Sequence, residues 1–321
     1  MIYVLLADLL NDGLPVIDFL EILSDLDAVS LRLDRHQSGI SRIYRKVSKN
    51  LSLNFNKDSD GFYGATNNLE VLHCLRHASQ LLRLKTPNQL RWSSGLWNSW
   101  AFTGNSFLPR HLNRLWFSEL RTVELIRSRI LDLAFVNTLD LAPFLLKNRA
   151  QAQDYDEFVV IKLCSYPLFL TASPSHPLAN LAVVSKIDLR YFPSLATPDN
   201  FFPFRSQLLK NLGLWSSSRL LHKYSWHQWE AACLDNKTLI YTTPVSDVFL
   251  DGKIKTTQIQ FDLAINDGDA LLIRKDVYDH FEMKELVASV SRIYLEACAK
   301  QFAKNKSVDL ISCSPALKSY S

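Results

Sequence analysis

Ser41, Arg42, Arg45 and Lys49 recur at short helical spacings, which puts a hydroxyl and three cations on one outward side of a helix. No acidic residue interrupts the run from Arg35 to Lys49. Such a face suits duplex DNA, because guanidinium, ammonium and hydroxyl groups donate to phosphates and base edges and the helix N-terminus adds positive potential. The same residues on a solvated helix would serve only solubility, and the pattern alone leaves both readings open. His73 and His77 stand one turn apart without a third ligand nearby, so no metal is expected. Motifs for other chemistry are missing: there is no GxSxG elbow, phosphate-binding P-loop, GxGxxG or HExxH. The nine glycines form no phosphate cradle, and neither catalysis nor a cofactor is expected.

The elements that must position the basic face are legible around it. Leu33, Ile40, Tyr44, Val47 and Leu51 recur at three, four or seven residues, the period of two short helices packed on one side, the second starting near Ser38. After an irregular stretch over residues 1–14, Pro15 opens a supporting helix carrying Ile17, Phe19, Leu20, Ile22 and Leu23. Asn54 to Thr66 places Asp58, Asp60, Gly61 and Gly64 around Phe62-Tyr63, the composition of a small two-stranded wing. Asn67 to Lys85 then carries Leu69, Leu72, Leu75 and Leu82 at helical spacing until Thr86-Pro87 stops it. An apolar stripe there needs a partner surface.

From Gln89 the texture becomes alternating strands and helices. Strands are expected at Ile130–Val136, Phe158–Leu163, Leu168–Leu170, Val183–Leu189, Ser194–Ala196, Thr238–Tyr241 and Ala270–Ile273. Helices are expected at Phe107–Trp116, Arg205–Leu212, His227–Leu234 and Phe281–Ala299. This alternation predicts parallel or mixed sheets. Lys and Arg number 36 against 32 Asp and Glu, a formal charge of +4, too small to imply nucleic acid except where it concentrates around Arg35 to Lys49. Cys74, Cys164, Cys233, Cys298 and Cys313 are dispersed without a CxxC pair, which reads as reduced thiols in cytoplasm. The apolar start lacks a basic leader, and no run reaches membrane-spanning length.

Leu26, Val29-Ser30, Leu33, Gln37, Ile40, Ser41-Arg42, Val47, Leu51 and Thr66 fall in order where LysR-type transcriptional regulators carry their winged helix-turn-helix signature, and the chain resembles that family. Further on, Leu131-Asp132-Leu133-Ala134-Phe135, His176-Pro177-Leu178-Ala179, Lys186-Ile187-Asp188-Leu189 and Leu272-Ile273-Arg274-Lys275-Asp276 are similar to segments of its regulatory domain. The chain departs from the pattern at His36, Ser38-Gly39, Val29-Ser30 and Asp58. It departs again in the short interval from Leu108-Pro109 to Asp132, and in Asp235-Asn236-Lys237, which replaces a Gly-rich turn.

The resemblance implies an α/β protein with an N-terminal all-α winged helix-turn-helix over 1–66, a dimerising linker helix over 67–88 and a two-lobed periplasmic-binding-like effector domain over 89–300. Residues 301–321 read as a mobile tail. It implies double-stranded DNA as partner, with Arg35, Gln37, Ser38, Ser41, Arg42, Arg45 and Lys49 as contacts, in a homodimer or homotetramer. It also implies a small anionic or polar effector held by Ser93, Ser94 or Ser99 on one lobe and by Thr197 with Asn200 on the other. The alternative is a related sensor or partner protein with weakened specific DNA binding, motivated by His36, Ser38-Gly39 and Asp58.

Overall fold

The computed structural model describes residues 9–57, 62–86, 89–95, 97–103, 111–112, 119–141, 157–196, 202–214, 219–220, 226–303 and 308–310. They form two compact units, one of residues 1–90 with 125–132, the other of 91–124 with 133–321. The second unit therefore does not begin cleanly at 89.

In the first unit a π-helical turn at Leu9–Gly13 runs into α1 (Leu14–Leu23), which carries Pro15 in its first turn and ends at Ser24 in the left-handed region. Asp25 caps α2 (Leu26–Leu33) by accepting from the Asp27 and Ala28 amides, and Asp34, at φ 53°, turns the chain toward α3 (Gln37–Asn50). The wing follows as β1 (Phe55–Lys57) antiparallel to β2 (Tyr63–Ala65); Asp58, Asp60 and Gly61 lie outside the described residues. Then comes α4 (Leu69–Lys85). Leu14, Ile17, Val47, Leu53 and Leu72 form the core of this unit. Leu72 thus leaves the stripe expected to seal a partner surface: it is 1% exposed within its own chain. Leu69, Val71, Leu81 and Leu82 remain exposed on the same helix.

Charged side chains also fasten α4 inside the unit. Arg76 donates to Asp18 at 2.8 Å and Glu21 at 2.9 Å, both on α1. Arg83 donates to Asp132 at 2.7 and 2.9 Å and to the Arg129 carbonyl at 2.9 Å. Gln80 bridges Asp132 and Arg129. Burial alone would lower both guanidinium pKa values, yet the carboxylates hold Arg76 and Arg83 above the ordinary value.

The second unit contains two main sheets. The first has the order β4-β3-β5-β12-β6, from β3 (Trp92–Ser93), β4 (His111–Leu112), β5 (Leu133–Asn137), β6 (Phe158–Lys162) and β12 (Asp269–Arg274). β3 is parallel to its neighbours and β12 antiparallel to both of its own, a mixed sheet as expected. The second sheet has β7 (Cys164–Ala172) between β10 (Ile240–Thr242) and β11 (Thr257–Asp267). A small parallel pair joins β8 (Leu195–Ala196) to β9 (Arg219–Leu220). Between strands lie α5 (Glu119–Arg127), α6 (Lys186–Leu189), α7 (Pro203–Asn211), α8 (Trp226–Leu234), α9 (Pro244–Leu250), α10 (Lys275–Tyr278) and α11 (Phe281–Phe302).

Three expectations are corrected here. Val183–Leu189 is not a strand: Ser185 and Asp188 form a reciprocal capping box that starts α6, and local capping overrides the apolar alternation. His111 and Leu112, placed by periodicity in a helix, pair with Trp92 and Ser93 as β4, so sheet pairing wins over local pattern. Part of the expected tail is ordered, because α11 continues to Phe302 and Asp309–Leu310 forms β13 against Ser165 and Cys164. The long strand β11 lies in a stretch to which periodicity assigns no element, although Ile259, Leu263 and Ile265 alternate into the core.

The chain passes from the second sheet to the first at Gly268, between β11 and β12. A Cβ there would lie 2.2 Å from the Cys164 carbonyl oxygen, so only glycine allows this backbone approach.

Candidate nucleic-acid interface and ligand cleft

Helix α3 is amphipathic in the strict sense: Ile40 and Val47 are buried, while Gln37, Ser38, Arg42, Arg45, Lys46 and Lys49 are exposed. Ser41 is half-buried at the edge of this face. Ser38, Arg42, Arg45 and Lys49 follow one another at four, three and four residues and line a single strip. His36 occupies the N-cap without a side-chain hydrogen bond, so the first amides of α3 keep their outward potential. Gly39 faces open space, with nothing within 4 Å of where a methyl group would sit. Arg35 differs from the other cations because it pairs with Asp12 at 2.5 Å. The wing adds Lys57, whose ammonium lies 4.8 Å from the Tyr63 ring centre.

A second site lies in the other unit, where Trp97, Asn137, Tyr166, Arg205 and Tyr241 converge with the Thr243 to Ser246 turn at the start of α9. The cavity between them is about 20 Å³, room for roughly one water molecule, so a ring-sized ligand must part its walls. Arg205 is its charged member. Its Nε donates to Asp140 at 3.0 Å, its Nη2 donates to Asp267, and its own amide also donates to Asp140 at 3.0 Å. The guanidinium carbon lies 4.9 Å from the Phe202 ring centre and 5.7 Å from that of Tyr241. Asp267 further accepts from the Leu139 and Gly268 amides.

Across Gly268, Asp269 is fully buried and accepts from the Tyr166 hydroxyl at 3.0 Å and from the Tyr294 hydroxyl. Burial pushes its carboxyl up to about 6, against the stabilising bond from Tyr294. Burial also raises both phenols, which stay protonated and able to donate.

The serines expected on the first lobe sit elsewhere. Ser93 and Ser94 are buried at the end of β3, Ser99 is half-buried in a 3₁₀ turn, and among the described residues Trp97 supplies the cavity wall from this stretch. Thr197 and Asn200 lie outside the described residues. Sequence reasoning misses Asn137, Arg205, Asp140 and Asp267; only Arg205, at the start of an expected helix, carries a local signal.

His176 proves structural. Its Nδ1 accepts from the Leu178 amide at 3.1 Å, so Nε2 carries the proton and donates to the Lys237 carbonyl. Burial lowers its pKa accordingly. The nearby Asp235-Asn236-Lys237 turn works without glycine, since Asn236 takes φ 55° and Asp235 accepts from the Lys237 and Thr238 amides. Among the described residues no group of three or more side chains is placed to hold a metal ion, and no helix is long and apolar enough to cross a membrane.

No protein-family model matches the chain, and no curated protein matches it by sequence. Solved structures do. Full-length OxyR from Pseudomonas aeruginosa matches 88% of this chain and 96% of its own at TM-score 0.52 and 11% identity. An H2O2-bound mutant of Corynebacterium glutamicum OxyR matches 91% and 93% at TM-score 0.50 and 12% identity. CbnR, a LysR family transcriptional regulator, matches 88% and 98% at TM-score 0.49 and 12% identity. At such identities the likeness is one of fold alone, and it extends over most of both chains.

Proposed function

We propose that the chain is a DNA-binding transcriptional regulator of LysR type, controlled by a small molecule bound in the cleft at Trp97, Arg205 and Tyr241. The observation that carries this reading is the strip of Ser38, Arg42, Arg45 and Lys49, exposed on a well-supported helix free of acidic residues. Such a strip contributes affinity through phosphate neutralisation and specificity through base edges. Mobility-shift titration on the DNA upstream of its own gene tests it: a discrete complex that weakens steeply with salt is expected. Salt-independent or undetectable binding refutes it.

The exposed Leu69, Val71, Leu81 and Leu82 support a homo-oligomer formed through α4. Sedimentation of the Leu81→Glu, Leu82→Glu double variant is expected to show smaller species than the wild type. A weakened DNA-binding head remains the second reading, and the Arg35–Asp12 pair favours it by neutralising one expected contact. Peroxide sensing by Cys164, Cys233 or Cys298 is disfavoured: all three are buried, and burial raises each thiol, whereas a reactive cysteine needs an accessible thiolate.

A further inference from the structure

The cleft's chemistry narrows the class of its ligand, an inference that rests on the ligand-controlled reading above. Arg205 is the charged group of the described lining, and its Nε and Nη2 are already engaged by two buried carboxylates, Asp140 and Asp267. One cation between two anions leaves this wall a formal charge of −1. Three backbone donors beside it are committed as well. At the start of α7 the Arg205 amide donates to Asp140. At the start of α9, Thr243 and Ser246 satisfy each other in a capping box. Burial pushes the Asp140 carboxyl above its ordinary range, with a smaller contribution from Asp267, although Arg205 opposes this. The rest of the lining joins three aromatic rings, those of Trp97, Tyr166 and Tyr241, to Leu250 and the polar Asn137, Thr242, Thr243 and Ser246, and aromatic quadrupoles attract cations.

We propose that the cleft takes an uncharged or cationic small molecule with a flat apolar body, and that it rejects carboxylates and phosphates. Arg205 lines the cavity while Asp140 and Asp267 stand behind it, so an anion brought beside Arg205 finds a cation already answered by two carboxylates and gains little from it. A neutral ring needs no countercharge, and a cationic one is drawn by the net negative charge of the cluster; either can stack among the aromatics.

Benzamide, benzamidine and benzoate share one ring and differ in charge, so calorimetry of the full chain with each at millimolar concentration tests the proposal. Benzamide and benzamidine are expected to bind, and benzoate to bind about tenfold more weakly or worse. Trp97→Ala should weaken the two binders several-fold, which assigns them to the cleft. Asp140→Asn and Asp267→Asn, made separately, each bring the wall to zero charge while keeping a polar group of the same shape, and should narrow the gap to benzoate. The proposal is overturned if benzoate binds as well as the others through Trp97, or if none of the three binds. It is also overturned if the gap persists in an Asn variant that melts as the wild type does. Mobility shifts on the same preparations separate the two readings. DNA binding with benzoate preference sinks only the ligand class. Loss of DNA binding with the expected selectivity sinks only the regulator.

Discussion

The outer strip of α3 and the wall of the cleft both concentrate charge, but they answer it in opposite ways. On α3 the cations Arg42, Arg45 and Lys49 face solvent and are left available. In the cleft the protein answers its own charges: Arg205 is held by Asp140 and Asp267, which themselves gather amides from Leu139, Arg205 and Gly268. Exposed charge costs little to keep and is free to meet a partner. Buried charge must find its counterpart inside the fold and is then unavailable to a ligand of opposite sign.

The largest test of this contrast is a pair of truncations. Asp267→Ala should cost about 3 to 5 kcal/mol in urea unfolding, because it strips Arg205 and two amides of a buried partner. Arg42→Ala should change stability by no more than about 0.5 kcal/mol. Equal effects would erase the distinction. In DNA titrations the order reverses: Arg42→Ala should lose about 1 to 3 kcal/mol if its guanidinium reads a base edge, and Arg45→Ala should reduce the salt slope by about one.

A smaller effect probes Asp269. Its native carboxyl titrates at about 6, above the roughly 3.9 of an unfolded chain, so between these values the native state binds more protons. Its contribution to stability therefore falls as pH rises through this window and stays lost above it. Going from pH 7 to pH 5, the wild type should gain about 1 kcal/mol relative to Asp269→Asn, a difference that cancels the titration of other groups such as His176. Parallel pH profiles would mean that Asp269 is better solvated than its burial indicates. Smallest is Gly39→Ala on α3. The added methyl meets open space in a helical turn, so the melting temperature should rise with a gain of about 0.5 to 1 kcal/mol.

The same contrast explains what is legible in the sequence. The basic strip, the helix pair and the wing are written in residues within one or two turns of each other, and local periodicity exposes them. The cleft is assembled from groups far apart: Asp140 and Arg205 are separated by 65 residues, and Arg205 and Asp267 by 62. No window of sequence contains that cluster, and the hydroxyl residues Ser93, Ser94 and Ser99 are what a local reading offers in its place. Leu72 escapes for a related reason, since spacing along α4 marks an apolar stripe but not which of its residues the neighbouring helices cover. Strands are legible where runs such as Leu133–Val136 are buried on both sides, and illegible where two-residue strands depend wholly on their partners.

The buried bond from Arg83 to Asp132 has a consequence for how the molecule can be taken apart. Because residues 125–132 belong with the first unit, the chain crosses between the units three times, at 90/91, 124/125 and 132/133. A single cut after α4 therefore does not yield two natural pieces. It leaves Asp132 in a fragment from which Arg83 and Gln80 have been removed, one residue ahead of β5. A fragment of the second unit would be better behaved with Asp132 replaced by a neutral residue, and a fragment of the first would need the 125–132 peptide restored in trans or by fusion. The gene's linear order and the protein's separable parts are different partitions of the same chain.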